Sequence, residues 1–377
     1  MAKDQDYYEE IKEKFASERD LRLAFRPEGT DQYTSDFSGE KEKYSVDPYG
    51  GEARDRAPID DSVEVLFIGG GFSALLTSAR LREKGVESIR IVERGSDVGG
   101  TWYWNRYPGV ACDVISYDYL PLLDEMNYVP KRRYSRGEEI LEHTRAIARK
   151  YDLYDLAVFQ TTVTQTVWSE KEKMWHVHTD RDDHMRARFV ICANGTLSKP
   201  KLAKIGGIDD FDGHSFHTSR WDYDYTGEDL SNLSDKVVGI IGTGATAVQA
   251  IPELGLKSKK LYVFQRTPSS IDIRDDWETD PDWAKKRPAG WQAIRREKSL
   301  KAVEPTASQL KEFSRISREE KIQRQENANI DYMMRIHQRI DSEVDDPSVA
   351  ESLKPWYMFM CKRPCFHNEF LPTFNRS

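Results

Sequence analysis

The sequence predicts an α/β protein with two Rossmann-like halves, the first carrying an antiparallel β insertion and the second a helical insertion. Three features predict it. The apolar run at residues 63–68 passes straight into Gly69-Gly70-Gly71-Phe72-Ser73-Ala74, and the run at 237–241 passes into Gly242-Thr243-Gly244-Ala245-Thr246-Ala247. Behind each glycine loop, apolar residues recur at helical spacing: Phe72, Leu75, Leu76 and Ala79, then Ala247, Ile251 and Leu254. Elsewhere the pattern changes: residues 161–191 alternate around polar turns, whereas 275–350 is charge-dense with helical runs such as 309–343.

Composition bounds the function. A chain of 377 residues suits two domains, or one domain with a large insertion. A net charge of −8 offers no basic field for nucleic acid or an anionic membrane. No apolar run approaches a membrane span, and the start MAKDQDYYEE lacks a signal-peptide core. Four cysteines in a chain this long read as reduced thiols in a cytoplasmic protein. Cys361 and Cys365 have no companion ligands at zinc spacing, so no metal site is expected.

Residues 1–62 read as an N-terminal extension, an arm along the domain surface without chemistry of its own. It holds one amphipathic helix over roughly 6–18, then turns at Arg26-Pro27-Glu28-Gly29 and Asp47-Pro48-Tyr49-Gly50-Gly51. Residues 63–205 form the first nucleotide domain. The 63–68 strand reads as buried on both faces. Gly69 makes the tight turn, Gly71 lets the backbone approach a pyrophosphate, and Ala74 keeps the helix close to the sheet. The strand at 89–92 ends on Glu93, 24 residues after Gly69, where an acid accepts from ribose hydroxyls. The plain alternative is a helix-capping glycine turn without ligand. Trp102, Tyr103, Trp104 and Tyr107 form an aromatic cluster that composition alone assigns to a core or interface. Within the β insertion, His176, His178 and His184 read as solvated residues. The strand then closes the domain at 189–195, and Lys199-Pro200-Lys201 reads as a linker.

Residues 206–274 form the second nucleotide domain. Its strand at 237–241 repeats the buried run, and Arg266-Thr267 follows the next strand, with Arg266 24 residues after Gly242. An acid at this offset suits an unmodified ribose, and an arginine suits a 2′-phosphate. The spacing thus assigns FAD to the first site and NADPH to the second; the alternative for Arg266 is a surface charge. Residues 275–350, the helical insertion, read as solvated helices anchored by Phe313, Ile322, Ile330, Met334 and Ile340, and residues 351–377 return from it.

Between the two loops stands Phe211-Asp212-Gly213-His214-Ser215-Phe216-His217-Thr218-Ser219-Arg220-Trp221-Asp222. As F-x-G-x-x-x-H-x-x-x-W-D it resembles, at every fixed position, the fingerprint of the type I Baeyer-Villiger monooxygenases. The Trp221-Asp222 ending favours this family over the related flavin-containing and N-hydroxylating monooxygenases. The resemblance extends to Gly99-Gly100-Thr101-Trp102-Tyr103-Trp104-Asn105-Arg106-Tyr107-Pro108-Gly109-Val110-Ala111-Cys112-Asp113. It implies flavin contacts from Gly100, Thr101, Trp102, Trp104 and Tyr107, with Asp113 beside the flavin holding a catalytic arginine. Ala111 departs from the family, which often has Arg or Leu there. In Met358-Phe359-Met360-Cys361-Lys362-Arg363 the resemblance gives Arg363 the catalytic role and Lys362 a place at the 2′-phosphate. His217 is implied to be structural or conformational. The family continues beyond the position of Ser377, so the resemblance covers roughly 63–377 here and the first two-thirds or so of a family member.

The implied chemistry is NADPH-dependent reduction of FAD, addition of O2, and attack of the C4a-peroxyflavin on a ketone to give an ester or lactone. Three other readings stay open. One is oxidation of S or N heteroatoms, as in a thioether, and another is a truncated nucleotide-binding remnant. The third, a disulfide reductase, requires a paired redox-active cysteine near the flavin, and Cys112 and Cys192 stand apart in the sequence. Substrate identity and oligomeric state are not encoded in any motif.

Overall fold

In the computed structural model, residues 5–24, 32–34, 37–52, 54–304, 306, 311 and 313–376 are described. The turn expected at 26–29 lies outside them, as do 309, 310 and 312 of the expected 309–343 run. The chain divides into two compact units: Tyr33–Asp222 with Glu278–Ala289, and Met1–Gln32 with Tyr223–Trp277 and Gly290–Ser377. The division after Asp222 falls immediately behind the fingerprint.

The chain opens in the second of these units with helix α1 (Gln5–Ala24), longer at both ends than the spacing suggested. No proline or glycine interrupts those residues, so helix propensity carries through. Tyr8 and Phe15 anchor it against Ile330, Met333, Met334 and Tyr357.

The unit beginning at Tyr33 is built on a six-stranded sheet. Its strands are β1 (Asp60–Ile68), β2 (Ile89–Val92), β3 (Ala157–Val158), β4 (Val163–Ser169), β5 (Met174–Thr179) and β6 (His184–Cys192). They lie in the order β3-β2-β1-β6-β5-β4. β1 pairs in parallel with β2, Val65 opposite Ile89, and with β6, Ile68 opposite Cys192. β5 and β4 continue the sheet antiparallel from β6. The expected β insertion and closing strand are one element: the nine residues of β6 are the last strand of the hairpin layer and the parallel partner of β1. The helix α2 (Phe72–Glu83) follows β1, and α3 (Gly137–Lys150) precedes β3. They cover one face, where Phe67, Leu75, Ala79, Ile91, Ile147 and Leu153 form a core. Leu66, Val92, Val177, Met185 and Ala187 pack on the other. β1 is therefore buried on both faces, which is why it reads as a continuous apolar run. Beyond the linker at 199–201, Leu202–Ala203 pairs with Tyr33–Thr34, antiparallel.

In the unit beginning at Met1, β7 (Val237–Ile241) pairs in parallel with β8 (Lys260–Phe264), joined by α4 (Ala245–Lys257). Here the structure corrects the expectation of a strand buried on both faces. Ile240 is 6% exposed, but Val237 is 63%, Ile241 60% and Phe264 59% exposed. Helix α4, with Ala247, Val248, Ile251 and Leu254 buried, covers one face of this two-stranded pair.

The long helix α5 (Arg318–Glu343) starts on Ser317, whose Oγ accepts from the Glu320 N–H at 3.1 Å. Ile330, Met334 and Ile340 are core anchors as expected, whereas Phe313 and Ile322 are exposed. The apolar stripe thus begins only where α5 meets α1. A second parallel pair, β9 (Ile271–Asp272) and β10 (Cys365–Phe366), is pinned by α5. Asp272 Oδ2 accepts from Arg335 at 2.6 Å and from the Tyr332 hydroxyl at 2.9 Å. Arg339 donates to the carbonyls of Ile271 at 3.2 Å and His367 at 3.0 Å. This clamp fixes the segment bearing Lys362 and Arg363.

Candidate cofactor sites

β1 ends at Gly69, whose φ of +107° is open to glycine and whose Cβ would meet the Ala193 carbonyl oxygen at 2.6 Å. The turn leaves Gly71, in extended conformation, as the cap of α2, and the first amides of a helix are a ready-made place for an anion. Ala74 is fully buried beneath it. Across the loop stands Gly100, φ +54°, whose Cβ would meet Gly71 Cα at 2.9 Å. The two glycine segments thus form a narrow backbone cradle that side chains would fill. Gly99 N–H donates to the Gly70 carbonyl at 3.0 Å and joins them.

Glu93 is 5% exposed. Its Oε2 accepts from the Gly70 N–H at 2.5 Å and its Oε1 from the Gly95 N–H at 2.6 Å. Burial pushes its carboxyl up, against the pull of these two amides. Trp102, Trp104 and Tyr107 are buried and Thr101 is exposed. Trp102 donates through Nε1 to the Tyr119 hydroxyl at 3.0 Å. Asp113 is half-buried in the same unit.

The fingerprint adds structure to this side of the molecule. Phe211 is 64% exposed, folded over Gly213, and Trp221 is buried with the Phe216 ring 5.1 Å away. His217 accepts at Nδ1 from the Ser219 N–H at 3.1 Å, capping a short turn. Burial first, and then Arg220, pushes its imidazole down to about 4. Asp222 lies 2.9 Å from His214 Nε2.

Five residues that no motif singled out bind these parts together. Arg220, 3% exposed, lies 3.9 Å from the Trp104 ring centre, and Arg94 lies 4.9 Å from it. Both guanidinium groups donate to the Ser198 carbonyl, at 3.1 and 2.6 Å. Burial pushes Arg220 down to about 10. Asp47 and Tyr49, in the expected chemistry-free arm, reach inward: Tyr103 donates to Asp47 Oδ2 at 2.6 Å, and the Tyr49 hydroxyl accepts from the Trp221 N–H at 3.0 Å. Arg106 lies over Tyr49 and Tyr103, 4.1 and 4.7 Å from their ring centres. The one sequence signal for this arm was its Asp-Pro-Tyr-Gly-Gly turn.

The second loop repeats the first. Gly242 has φ +106°, Gly244 caps α4 and Ala247 is buried. Arg266 is exposed and accepted by Gln32 Oε1. The Thr267 carbonyl accepts from Thr243 Oγ1 at 3.2 Å and from Lys362 Nζ at 2.8 Å, which joins loop, strand end and return segment. Lys362 also donates to the Pro268 carbonyl at 3.3 Å. Arg363 is exposed in the same unit.

The structure thus gathers Gly69, Gly71, Ala74, Glu93, Gly100, Thr101, Trp102, Trp104, Tyr107, Asp113 and the fingerprint in one unit. Gly242, Gly244, Ala247, Arg266, Thr267, Lys362 and Arg363 belong to the other. Three histidines of the β insertion do cluster: His176 Nδ1 lies 2.8 Å from His184 Nε2, and His178 stacks on His184. Among the described residues, no group of three or more His, Cys, Asp or Glu is placed to hold a metal ion. No described helix is long and apolar enough to cross a membrane.

Residues 66–350 match the family described as pyridine nucleotide-disulphide oxidoreductase. A relative named Baeyer-Villiger monooxygenase ATR8, from Stachybotrys chlorohalonatus, is 45% identical over 390 residues, covering 97% of this chain and 62% of its own length. The solved polycyclic ketone monooxygenase from Thermothelomyces thermophila superposes with a TM-score of 0.85 at 34% identity, covering 97% of this chain and 66% of that one. A crystal structure of OTEMO in complex with FAD and NADP superposes with a TM-score of 0.71 at 29% identity, covering 85% of this chain and 64% of that one. The chain spans somewhat less than two thirds of the length of these relatives. With its two glycine loops and its fingerprint in these positions, the chain belongs to the pyridine nucleotide-disulphide oxidoreductase family, and within it groups with the Baeyer-Villiger monooxygenases.

Proposed function

We propose that this chain is the nucleotide-binding part of an FAD- and NADPH-dependent Baeyer-Villiger monooxygenase that uses O2 to convert ketones to esters or lactones. One observation carries it. Two equivalent glycine loops end in opposite charges: the buried carboxylate of Glu93 in one, and the cations Arg266 and Lys362 in the other. An acid there accepts from ribose hydroxyls and a basic pair receives a 2′-phosphate, so the two sites take different dinucleotides.

The proposed domains are the N-terminal extension at 1–62, FAD binding at 63–205, NADPH binding at 206–274, the helical insertion at 275–350 and the return segment at 351–377. The cradle of Gly71 and Gly100 fits a pyrophosphate, since their backbones approach where any side chain would intrude. Bound there, FAD supplies the redox and oxygen-activating chemistry. The chain's residues hold and shield it: amides at the start of α2 face the pyrophosphate, Glu93 faces the ribose, and Trp102, Trp104 and Tyr107 form the apolar wall. On motif position, Asp113 is the orienting carboxylate and Arg363 the fixed positive charge for a developing anion. Such a charge is worth on the order of 10²–10³ in rate. The thiol state of all four cysteines suits a reducing, cytoplasmic setting.

The test is a visible spectrum of the purified chain after loading with FAD and removing the excess, followed by NADPH and a cyclic ketone under ¹⁸O2. A flavin band near one per chain and a lactone carrying one ¹⁸O support the proposal; a colourless protein sinks it. If a thioether is oxidised and the ketone is not, the heteroatom reading replaces it. Arg363→Ala is expected to abolish lactone formation while leaving flavin reduction by NADPH intact.

A further inference from the structure

Two residues of the N-terminal extension, expected to be a passive arm, stand beside the strand end that carries Arg266 and meets Lys362. Arg22, in the last turn of α1, donates through Nη1 to the Trp356 carbonyl at 3.3 Å. The next residue, Tyr357, donates its hydroxyl to the Pro268 carbonyl at 3.0 Å, and that oxygen is shared with Lys362 Nζ. Lys362 in turn reaches the Thr267 carbonyl, beside Arg266. Gln32 of the extension accepts from the Arg266 guanidinium. The extension therefore touches this site twice, once through each end of the segment between Arg22 and Gln32.

The charges are one-sided. Among the described residues, Arg22, Arg266 and Lys362 bond to neutral oxygens, and none is ion-paired with a carboxylate. Burial pushes the Lys362 ammonium down; the neighbouring Cys365 opposes this, and Arg266 and Arg22 add to it. Three cations gathered without a carboxylate partner among the described residues repel one another until an anion joins them.

We infer that the N-terminal extension is part of the dinucleotide site, with Arg22 as a third cation for the 2′-phosphate and Gln32 orienting Arg266 towards it. The inference rests on the assignment of this site to NADPH. The ligand is the phosphate of a nucleotide rather than inorganic phosphate, because the cations converge on the strand end joined to the glycine loop by Thr243.

The test is calorimetric titration of the FAD-loaded full chain with adenosine 2′,5′-bisphosphate, adenosine 5′-monophosphate and inorganic phosphate. The wild type is expected to prefer the bisphosphate over the monophosphate. Arg22→Ala is expected to reduce that preference about three- to tenfold, the worth of one charge-assisted contact at a partly exposed site. Monophosphate affinity and flavin content stay unchanged, and Arg22→Lys restores most of the preference. Gln32→Ala lowers it less. An unchanged preference in Arg22→Ala, or equal weakening of both nucleotides, overturns the inference, as does inorganic phosphate competing as well as the bisphosphate. Arg266→Ala separates the two levels: if it erases the preference while Arg22→Ala does not, only this inference fails. A wild type without any preference sinks the NADPH assignment itself.

Discussion

His217 holds its Nδ1 lone pair against the Ser219 N–H, so its ring is an acceptor there and its proton sits on Nε2. Protonation ends that bond and places a cation beside Arg220. The folded value of about 4 lies below the ordinary 6.5, so the unfolded chain takes up its proton first as pH falls. The stability this histidine contributes is complete above about 6.5, is lost as pH drops towards 4, and changes no further below that. Urea denaturation across this range is expected to show a shallower pH slope for His217→Gln than for the wild type; parallel slopes would refute this. At the same scale, Arg220 and Arg94 both lie against the Trp104 ring, which ties the fingerprint to the 99–113 segment. A double-mutant cycle of Arg220→Met with Trp104→Leu is expected to give a coupling of about 0.5–2 kcal/mol in stability. Additive effects would show that the stacking carries no energy.

Two elements test how backbone shape makes a site. Gly85 and Gly100 both have positive φ, +82° and +54°, but a Cβ on Gly85 meets nothing within 4 Å while one on Gly100 meets Gly71. Alanine at either position is expected to cost about 1–3 kcal/mol of strain. Only Gly100→Ala is expected to lose FAD as well, read from flavin absorbance after gel filtration; flavin loss in both variants would argue against a cradle. The strand β7 offers a second pair. Ile240→Ala is expected to cost about 2–4 kcal/mol, as for a buried aliphatic residue. Ile241→Ala, on the bare face, is expected to stay within about 0.5 kcal/mol. Equal losses in chemical denaturation would mean that this face is covered in solution.

At the scale of the molecule, each unit has its own core and its own glycine loop. A ligand that binds one unit is expected to slow amide exchange there. FAD should protect the segments around 66–75 and 89–104, and NADP+ those around 240–250 and 262–268. The reverse pattern in hydrogen–deuterium exchange would exchange the two cofactor assignments.

Much of this protein is legible along the chain because the features concerned are local. A buried strand, a glycine turn and a helix within a dozen residues fix their own geometry, and the 24-residue offset carries Glu93 and Arg266 to equivalent strand ends. Composition sets the solvated, acidic character of the whole. Tertiary structure decides what no local pattern encodes. Asp47 meets Tyr103, Arg220 meets Trp104, and Arg22 meets Trp356 across long sequence separations. The same polar arm reads identically in sequence whether it is solvated or docked. The bare face of β7 and β8 is equally hidden, since an apolar residue in a strand does not say whether a partner covers it. The sequence by itself determined the two nucleotide turns and the charge at the end of each. Packing alone decided which distant residues surround them, because burial and ion pairing depend on neighbours that only the folded chain brings together.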